Sequence, residues 1–71
     1  MERFGEKLRT LREQRGLTVR DLAPALGIKS SSYISKLEKG AKIPSTPLLL
    51  KISLYFGVST DQLLRDDLEL D

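Results

Sequence analysis

The chain has 71 residues, with twelve Lys or Arg against ten Asp or Glu and no cysteine or histidine. This length corresponds to a single domain near the lower size limit for a self-sufficient core, where a second subunit often adds stability. Without cysteine there is no disulfide framework or thiolate metal site, and without histidine the commonest metal ligand and general base are missing. We therefore expect neither a metal ion nor a cofactor.

The two parts of the chain differ in charge. Residues 1–42 carry ten Lys or Arg and five Asp or Glu, a balance of +5, whereas residues 43–71 carry two and five, a balance of −3. A basic first part indicates that this part meets a polyanion. The amino-terminal end is too charged for a secretory signal and no apolar run approaches a membrane span, so a cytoplasmic protein without a membrane partner is expected.

Glycine marks four predicted helix ends, because it readily adopts the left-handed conformation that closes a helix. These glycines are Gly16, Gly27, Gly40 and Gly57. The first helix is predicted within residues 2–15. Its apolar positions, at helical spacing, are Phe4, Leu8 and Leu11.

The second and third helices follow closely. The second begins at Thr18, a natural N-cap with Asp21 three residues further on. Its apolar stripe consists of Val19, Leu22, Ala23 and Leu26. A serine cluster, residues 30–32, opens the third helix, whose inner face carries Ile34 and Leu37.

Two further helices complete the chain. The fourth is capped by Ser45, and Pro47 is acceptable in its first turn. Its predicted inner stripe consists of Leu49, Ile52 and Phe56. A short fifth helix has the capping box Ser59 and Gln62 and the apolar residues Leu63 and Leu64. Since no stretch alternates as a strand would, the predicted fold class is all-α.

The stretch from Leu17 to Gly40 has the plan of a helix-turn-helix, which places its second helix in the DNA major groove. Over residues 4–64 the chain resembles the phage-repressor-like (Xre/Cro-type) helix-turn-helix family. The resemblance rests on LREQRGLT (11–18), DLA (21–23), LG (26–27), ISKLEKG (34–40), PS (44–45) and GVSTDQLL (57–64). Each motif is weak alone, whereas the ordered series is specific.

The resemblance implies a compact five-helix, lambda-repressor-like DNA-binding domain in which helices 2 and 3 form the helix-turn-helix. It also implies a homodimer on a near-palindromic operator in double-stranded DNA, with repression or activation of transcription as the outcome. We predict this domain in residues 1–65 and an acidic tail that frays in residues 66–71. A longer regulator containing this domain is equally compatible with the sequence.

Three features depart from the family pattern. Pro24 lies inside the second helix, where proline removes a hydrogen bond and costs roughly 3 kcal/mol in a regular helix. We therefore expect this helix to bend or to end early. Between Gly27 and Ile34 there is one residue more than usual, which delays the recognition helix or alters its angle. Val19 replaces a frequent glutamine, so one usual phosphate contact is missing.

Side chains at the start of the third helix are candidates for contacts to base edges. They are Ser31, Ser32 and Tyr33, with Lys36 one turn further along. Lys36 suits guanine O6 and N7, and a solvated surface charge is the less favoured alternative. For the two serines, helix capping is an equally good interpretation, because serine is a preferred N-cap.

Positive charge beside the groove serves phosphate contacts. The candidates are Arg20, Lys29, Lys39 and Lys42. Each one alone could be plain surface, but four on one side of the motif favour DNA. In the resembling family an arginine late in the first helix pairs with a glutamate late in the third, and these positions hold Arg12 and Glu38. The implied role of this ion pair is structural.

The fourth helix has more apolar residues than one inner stripe needs. Leu50 and Leu54 lie one turn apart off that stripe, close in sequence to Tyr55, and Leu68 lies in the tail. A dimer interface is the favoured interpretation, because exposed apolar patches mark partners. A broader core face is the alternative.

The favoured function is a sequence-specific DNA-binding transcriptional regulator, as a dimeric repressor. The alternative is an antitoxin-like or adaptor protein that uses the same fold mainly for a protein partner. An enzyme is not expected and no catalytic residue is assigned, because the carboxylates near the end of the chain accompany no cleft or nucleophile.

Overall fold

The computed structural model describes residues 1–70, so the last residue of the predicted tail, Asp71, lies outside the described residues. The helices along these residues are α1 (Phe4–Gln14), α2 (Val19–Ala25), α3 (Ser31–Glu38), α4 (Thr46–Phe56) and α5 (Thr60–Leu64). They confirm the predicted all-α class and the order of the five helices. None of the helices in the described chain is long and apolar enough to cross a membrane.

The predicted capping residues begin two of these helices. The Thr18 hydroxyl accepts the N–H of Asp21 at 3.1 Å, and the Asp21 carboxylate accepts the N–H of Thr18 at 2.9 Å. Hydrogen bonding of its carboxylate by Thr18, from the backbone N–H first and from the side chain second, lowers the pKa of Asp21. The same reciprocal arrangement joins Ser59 and Gln62 at the start of α5. Both capping boxes are therefore confirmed.

Pro24 lies in the last turn of α2, which ends one residue later. Proline has no N–H to donate to the preceding turn, and the chain closes the helix directly after it. The N–H of Gly27 donates to the Pro24 carbonyl at 3.0 Å, and that of Ile28 returns to Ala23 at 2.8 Å. Gly27 has a φ of 72°, the left-handed conformation that this closure needs. With Leu26 as its C-cap, the second helix is closed at Gly27, where the sequence predicts its end, and Pro24 does not shorten it.

The core lies around α3. Both α1 and α2 pack on α3, while α5 packs on α1 and α4. The buried apolar residues are Phe4, Leu8, Leu11, Leu22, Ala23, Leu26, Ile34, Leu37, Leu48, Ile52, Phe56 and Leu63. The predicted inner stripe of α4 is wrong at one position, because Leu48 is buried and Leu49 only partly so. Both leucines fit helical spacing with Ile52, and periodicity does not distinguish them.

The carboxyl-terminal segment, residues 65–70, is held against α1. The carboxylate of Asp66 accepts the N–H of Arg3 at 2.9 Å and of Glu2 at 3.0 Å, so it caps the start of α1 from a distant part of the chain. These bonds, that of Arg3 first, lower the pKa of Asp66 to about 2. Arg3 also pairs with Glu69 at 3.1 Å. Residues 66–70 thus make contacts with the start of α1 that the sequence did not predict.

Candidate nucleic-acid interface

The third helix turns an apolar side inward and a polar, basic side outward. Ile34 and Leu37 have no exposed surface, because a spacing of three residues puts both on the side that packs against the other helices. Ser32 and Lys36 are exposed and four residues apart, so they lie one above the other on the outer side. Lys39, directly after α3, is exposed as well. The outer side of α3 is thus free to enter a groove.

The predicted base-contacting residues divide into two exposed and two partly buried side chains. Ser32 and Lys36 are exposed. Ser31 and Tyr33 are partly buried, and Tyr33 packs against the core. The N-cap of α3 is Ser30, whose side chain makes no capping hydrogen bond and whose hydroxyl lies 2.7 Å from that of Ser32. Side-chain capping therefore does not account for Ser31 and Ser32, which lie inside the helix.

The predicted phosphate-contacting residues are exposed basic side chains around α3. They are Arg20, Lys29, Lys39 and Lys42. Lys29 lies in the turn before α3. Lys42 is drawn back towards the end of α3, since its N–H donates to the carbonyl of Lys36 at 3.3 Å. The structure thus places positive charge before, on and after the third helix.

The arginine and glutamate expected to pair do meet. Arg12 Nε donates to Glu38 Oε2 at 2.7 Å and Nη2 donates to Oε1 at 3.1 Å, so the pair is bidentate. A third bond runs from Arg12 Nη1 to the carbonyl of Leu17 at 2.8 Å. The two side chains are only 13% and 8% exposed, and the hydrogen bond to Glu38 raises the pKa of Arg12. The pair joins the end of α1 to the end of α3.

This ion pair also neutralises the negative charge within residues 29–42, the segment that contains α3. Glu38 is the one carboxylate in residues 29–42, and Arg12 neutralises it. The lysines of that segment are therefore left without an acidic neighbour in the same stretch of sequence. The excess of positive charge in residues 29–42, on and beside α3, attracts a polyanion.

Gly5, which lies against the end of α3, was not among the residues predicted from the sequence. A Cβ added at Gly5, in the first turn of α1, would clash with the carbonyl oxygen of Glu38. The available signal was a glycine inside a predicted helix, where it costs about 1 kcal/mol relative to alanine. Periodicity assigns such a residue no partner, because the partner is distant in sequence.

A second surface, the α4 face, is apolar and is formed by Pro47, Leu50 and Leu54. These residues follow one another at spacings of three and four, so they share one side of the helix. Leu50 is 53% exposed and Leu54 is 73% exposed. Ile43, just before α4, is 76% exposed and adds to the exposed apolar residues of this region, although the sequence predictions did not include it.

The other two predicted dimer residues are less accessible. Tyr55 is 36% exposed. Its ring lies 5.0 Å from that of Phe56, edge to face, and the Arg15 guanidinium lies 5.5 Å from its centroid. Leu68 is partly buried in the carboxyl-terminal segment that α1 holds. Leu50 and Leu54 are thus the predicted dimer residues with the most exposed surface.

The short α2, the turn at Gly27 and the basic α3 define a helix-turn-helix, a DNA-binding arrangement of helical domains. The family profile HTH_3, described as helix-turn-helix, matches residues 8–63. The chain belongs to this family. The family resemblance stated from the sequence is therefore confirmed.

Two curated relatives are regulators of transcription. The chain is 41% identical over 60 residues to the HTH-type transcriptional regulator DdrOP3 of Deinococcus deserti, which covers 84% of this chain and 46% of that protein. It is 47% identical over 51 residues to the HTH-type transcriptional repressor RghR of Bacillus subtilis, covering 72% and 37%. The chain thus spans less than half the length of either relative.

A solved structure has the same fold. The N-terminal DNA-binding domain of SinR from Bacillus subtilis superposes with a TM-score of 0.82 at 28% identity. The match covers 97% of this chain and 100% of that domain. The predicted repressor-like DNA-binding fold is therefore confirmed.

Proposed function

We propose that this chain is the DNA-binding part of a dimeric transcriptional repressor that reads a near-palindromic operator in double-stranded DNA. The observation that carries the proposal is the excess of positive charge in residues 29–42, on and beside α3. Lysines lie before, on and after this helix, and the single carboxylate of the segment is paired with Arg12. A repressor of this kind works in the cytoplasm, which is the location we propose.

In the proposed complex, α3 lies in the major groove, and its side chains contact bases while the surrounding basic residues contact phosphates. Lys36 donates to guanine O6 and N7, and Ser32 bonds one adjacent base edge. Ser31 and Tyr33, which are partly buried, contact bases at the border of the helix. The phosphate contacts come from Arg20, Lys29, Lys39 and Lys42.

A salt titration tests the DNA contacts. The double variant Lys36→Ala with Lys39→Ala loses two cations of the α3 surface. We expect weaker binding and, for the dimer, a plot of log K against log salt that is shallower by about 2, since each of the two copies loses the phosphate contact of Lys39 and each such contact contributes about 0.9. Fluorescence anisotropy with a duplex selected from a random DNA pool gives both values.

The matched control removes two cations elsewhere. Arg9 and Arg65 are exposed, and each pairs with a carboxylate on its own surface, Glu13 and Asp67. The double variant Arg9→Ala with Arg65→Ala has the same net charge as the test variant, so its salt slope should stay close to that of the wild-type protein. Equal slopes for the two double variants would argue against α3 as the contact surface.

We further propose that the α4 face joins two copies. An apolar stripe is complementary to itself across a two-fold axis, and Leu50 and Leu54 are the most exposed apolar side chains of α4. The dimer then presents two α3 helices about 34 Å apart on one face of the DNA. The repressor role agrees with that of RghR, which is named a transcriptional repressor.

Sedimentation equilibrium of Leu54→Lys tests this interface. We expect a monomer that binds a single half-site but loses the affinity gained from the full palindrome. Gln14→Lys, an exposed position on α1, adds the same charge and should stay dimeric. A wild-type protein that is monomeric with and without the palindrome favours the antitoxin-like or adaptor alternative, with a protein partner on the α4 face.

A further inference from the structure

The backbone of the first turn of α1 lies so close to the backbone at the end of α3 that no side chain fits between them. A Cβ added at Gly5 would clash with the carbonyl oxygen of Glu38 and would lie 2.7 Å from that of Leu37. Both neighbours are backbone atoms, which cannot turn aside as a flexible side chain can. Gly5 is buried within a helix, where glycine is otherwise unfavourable. The close approach of the two backbones therefore requires glycine at this position.

Glu38 is thereby held at two separate points on α1. Its carbonyl lies against Gly5, and its carboxylate is bound by Arg12 at 2.7 and 3.1 Å. Gly5 and Arg12 are two helical turns apart, about 10.5 Å along α1. One contact fixes how near α3 lies to α1, and the second prevents α3 from turning about its own axis. Apolar contacts such as those of Ile34 and Leu37 resist such a turn less, because they have no fixed direction.

We propose that Gly5 is a positioning residue that sets the rotation of the recognition helix and, through it, the sequence preference of DNA binding. The proposal rests on the proposed function of α3. Ser32 and Lys36 lie on the same side of α3. A rotation of α3 about its own axis therefore turns both side chains away from the base edges they would contact. Phosphate contacts by long lysine side chains tolerate the same rotation. The rotation then weakens sequence-specific DNA binding more than non-specific DNA binding.

The test compares two duplexes of equal length, one selected from a random pool by the wild-type protein and one scrambled. Binding is measured at equal concentrations of folded protein. The readout is a ratio, the dissociation constant for the scrambled duplex divided by that for the selected duplex. For Gly5→Ala we expect this ratio to fall about tenfold, the loss of roughly one base contact. The affinity for the scrambled duplex should change less than about twofold, because its charge contacts remain.

The matched control is Gly16→Ala. Gly16 has a φ of 67°, so alanine there strains the backbone, but an added Cβ meets nothing within 4 Å. This variant should lose stability without moving α3 and should keep the wild-type ratio. If Gly5→Ala does not fold, Glu38→Asp decides the question, because it keeps the charge and shortens the link to Arg12 by one methylene. Its ratio should fall as well.

The outcomes separate the inference from the proposed function. A folded Gly5→Ala with the wild-type ratio overturns the inference, and so does a ratio that falls equally in Gly16→Ala. An unchanged ratio in Glu38→Asp overturns it where Gly5→Ala cannot be measured. A wild-type protein that binds both duplexes equally overturns the proposed function itself, and the inference with it.

Discussion

The ammonium group of Lys7 donates a hydrogen bond of 2.7 Å to the carbonyl oxygen of Leu68, 61 residues further along the chain. Two more bonds run from the same Nζ to the carbonyls of Gln62 at 2.6 Å and Arg65 at 2.8 Å. An ammonium has three donors, so all three are satisfied. The side chain is 2% exposed. A buried charge thus holds the end of α5 and the carboxyl-terminal segment against α1.

Replacing Lys7 by methionine, which has a similar length, should strongly destabilise the fold. Three partly buried carbonyls lose their donor, and we expect the free energy of unfolding to fall by about 3 kcal/mol, counting roughly 1 kcal/mol for each. Urea titration followed by circular dichroism measures the change. Arg9→Met is the control, because Arg9 lies on the same helix, is exposed, and pairs on the surface with Glu13; its cost should stay below about 1 kcal/mol. Equal losses would contradict the buried role of Lys7.

The Asp66 cap predicts how stability changes in acid. Hydrogen bonds from the backbone of Arg3 and Glu2 lower the pKa of Asp66 from 3.8 to about 2 in the folded state. Since the folded protein binds this proton less readily than the unfolded chain, the cap stabilises the fold fully above pH 4. That contribution is lost as the pH falls from about 4 to about 2.

Asp66→Asn isolates this contribution. The free energy of unfolding of the wild-type protein should exceed that of the variant at pH 6, and the difference should shrink steadily below pH 4. Glu2→Gln serves as the control, since its exposed side chain makes no hydrogen bond within residues 1–70. A difference between wild type and Asp66→Asn that stays constant down to pH 2 would show that the carboxylate does not cap α1.

The Arg12–Glu38 pair should be costly to break at one end. Arg12→Met leaves a nearly buried carboxylate without its partner, and such a loss costs roughly 3–5 kcal/mol. The double variant Arg12→Met with Glu38→Met removes both charges and should be more stable than the single variant, because no charge is left uncompensated. Thermal unfolding of the three proteins checks this order. A double variant less stable than Arg12→Met would mean that the two residues act independently.

The parts of the fold that depend on neighbours in sequence were predictable, and those that depend on distant neighbours were not. The capping box of Thr18 and Asp21 could be predicted because both partners lie within one turn. Nothing local connects Lys7 with the carbonyls in and after α5, or Gly5 with the end of α3. The Arg12–Glu38 pair was expected only because a family resemblance supplied the distant contact. Helical periodicity predicts that Lys36 faces outward. It does not predict which residues hold α3 in the orientation that places Lys36 there.

The two exposed helical prolines should respond in opposite ways to the same substitution. Pro24 lies in the last turn of α2, and Pro24→Ala supplies an N–H that can donate to the carbonyl of Arg20. We expect stabilisation by about 1–2 kcal/mol, less than the full cost of an interior proline because the unfolded chain also gains freedom. Pro47 lies in the first turn of α4, where its N–H would have no partner, so Pro47→Ala should destabilise by about 0.5–1 kcal/mol. Urea titration of both variants decides. Destabilisation by Pro24→Ala would mean that proline at this position favours the native turn into α3 more than the added hydrogen bond favours the helix.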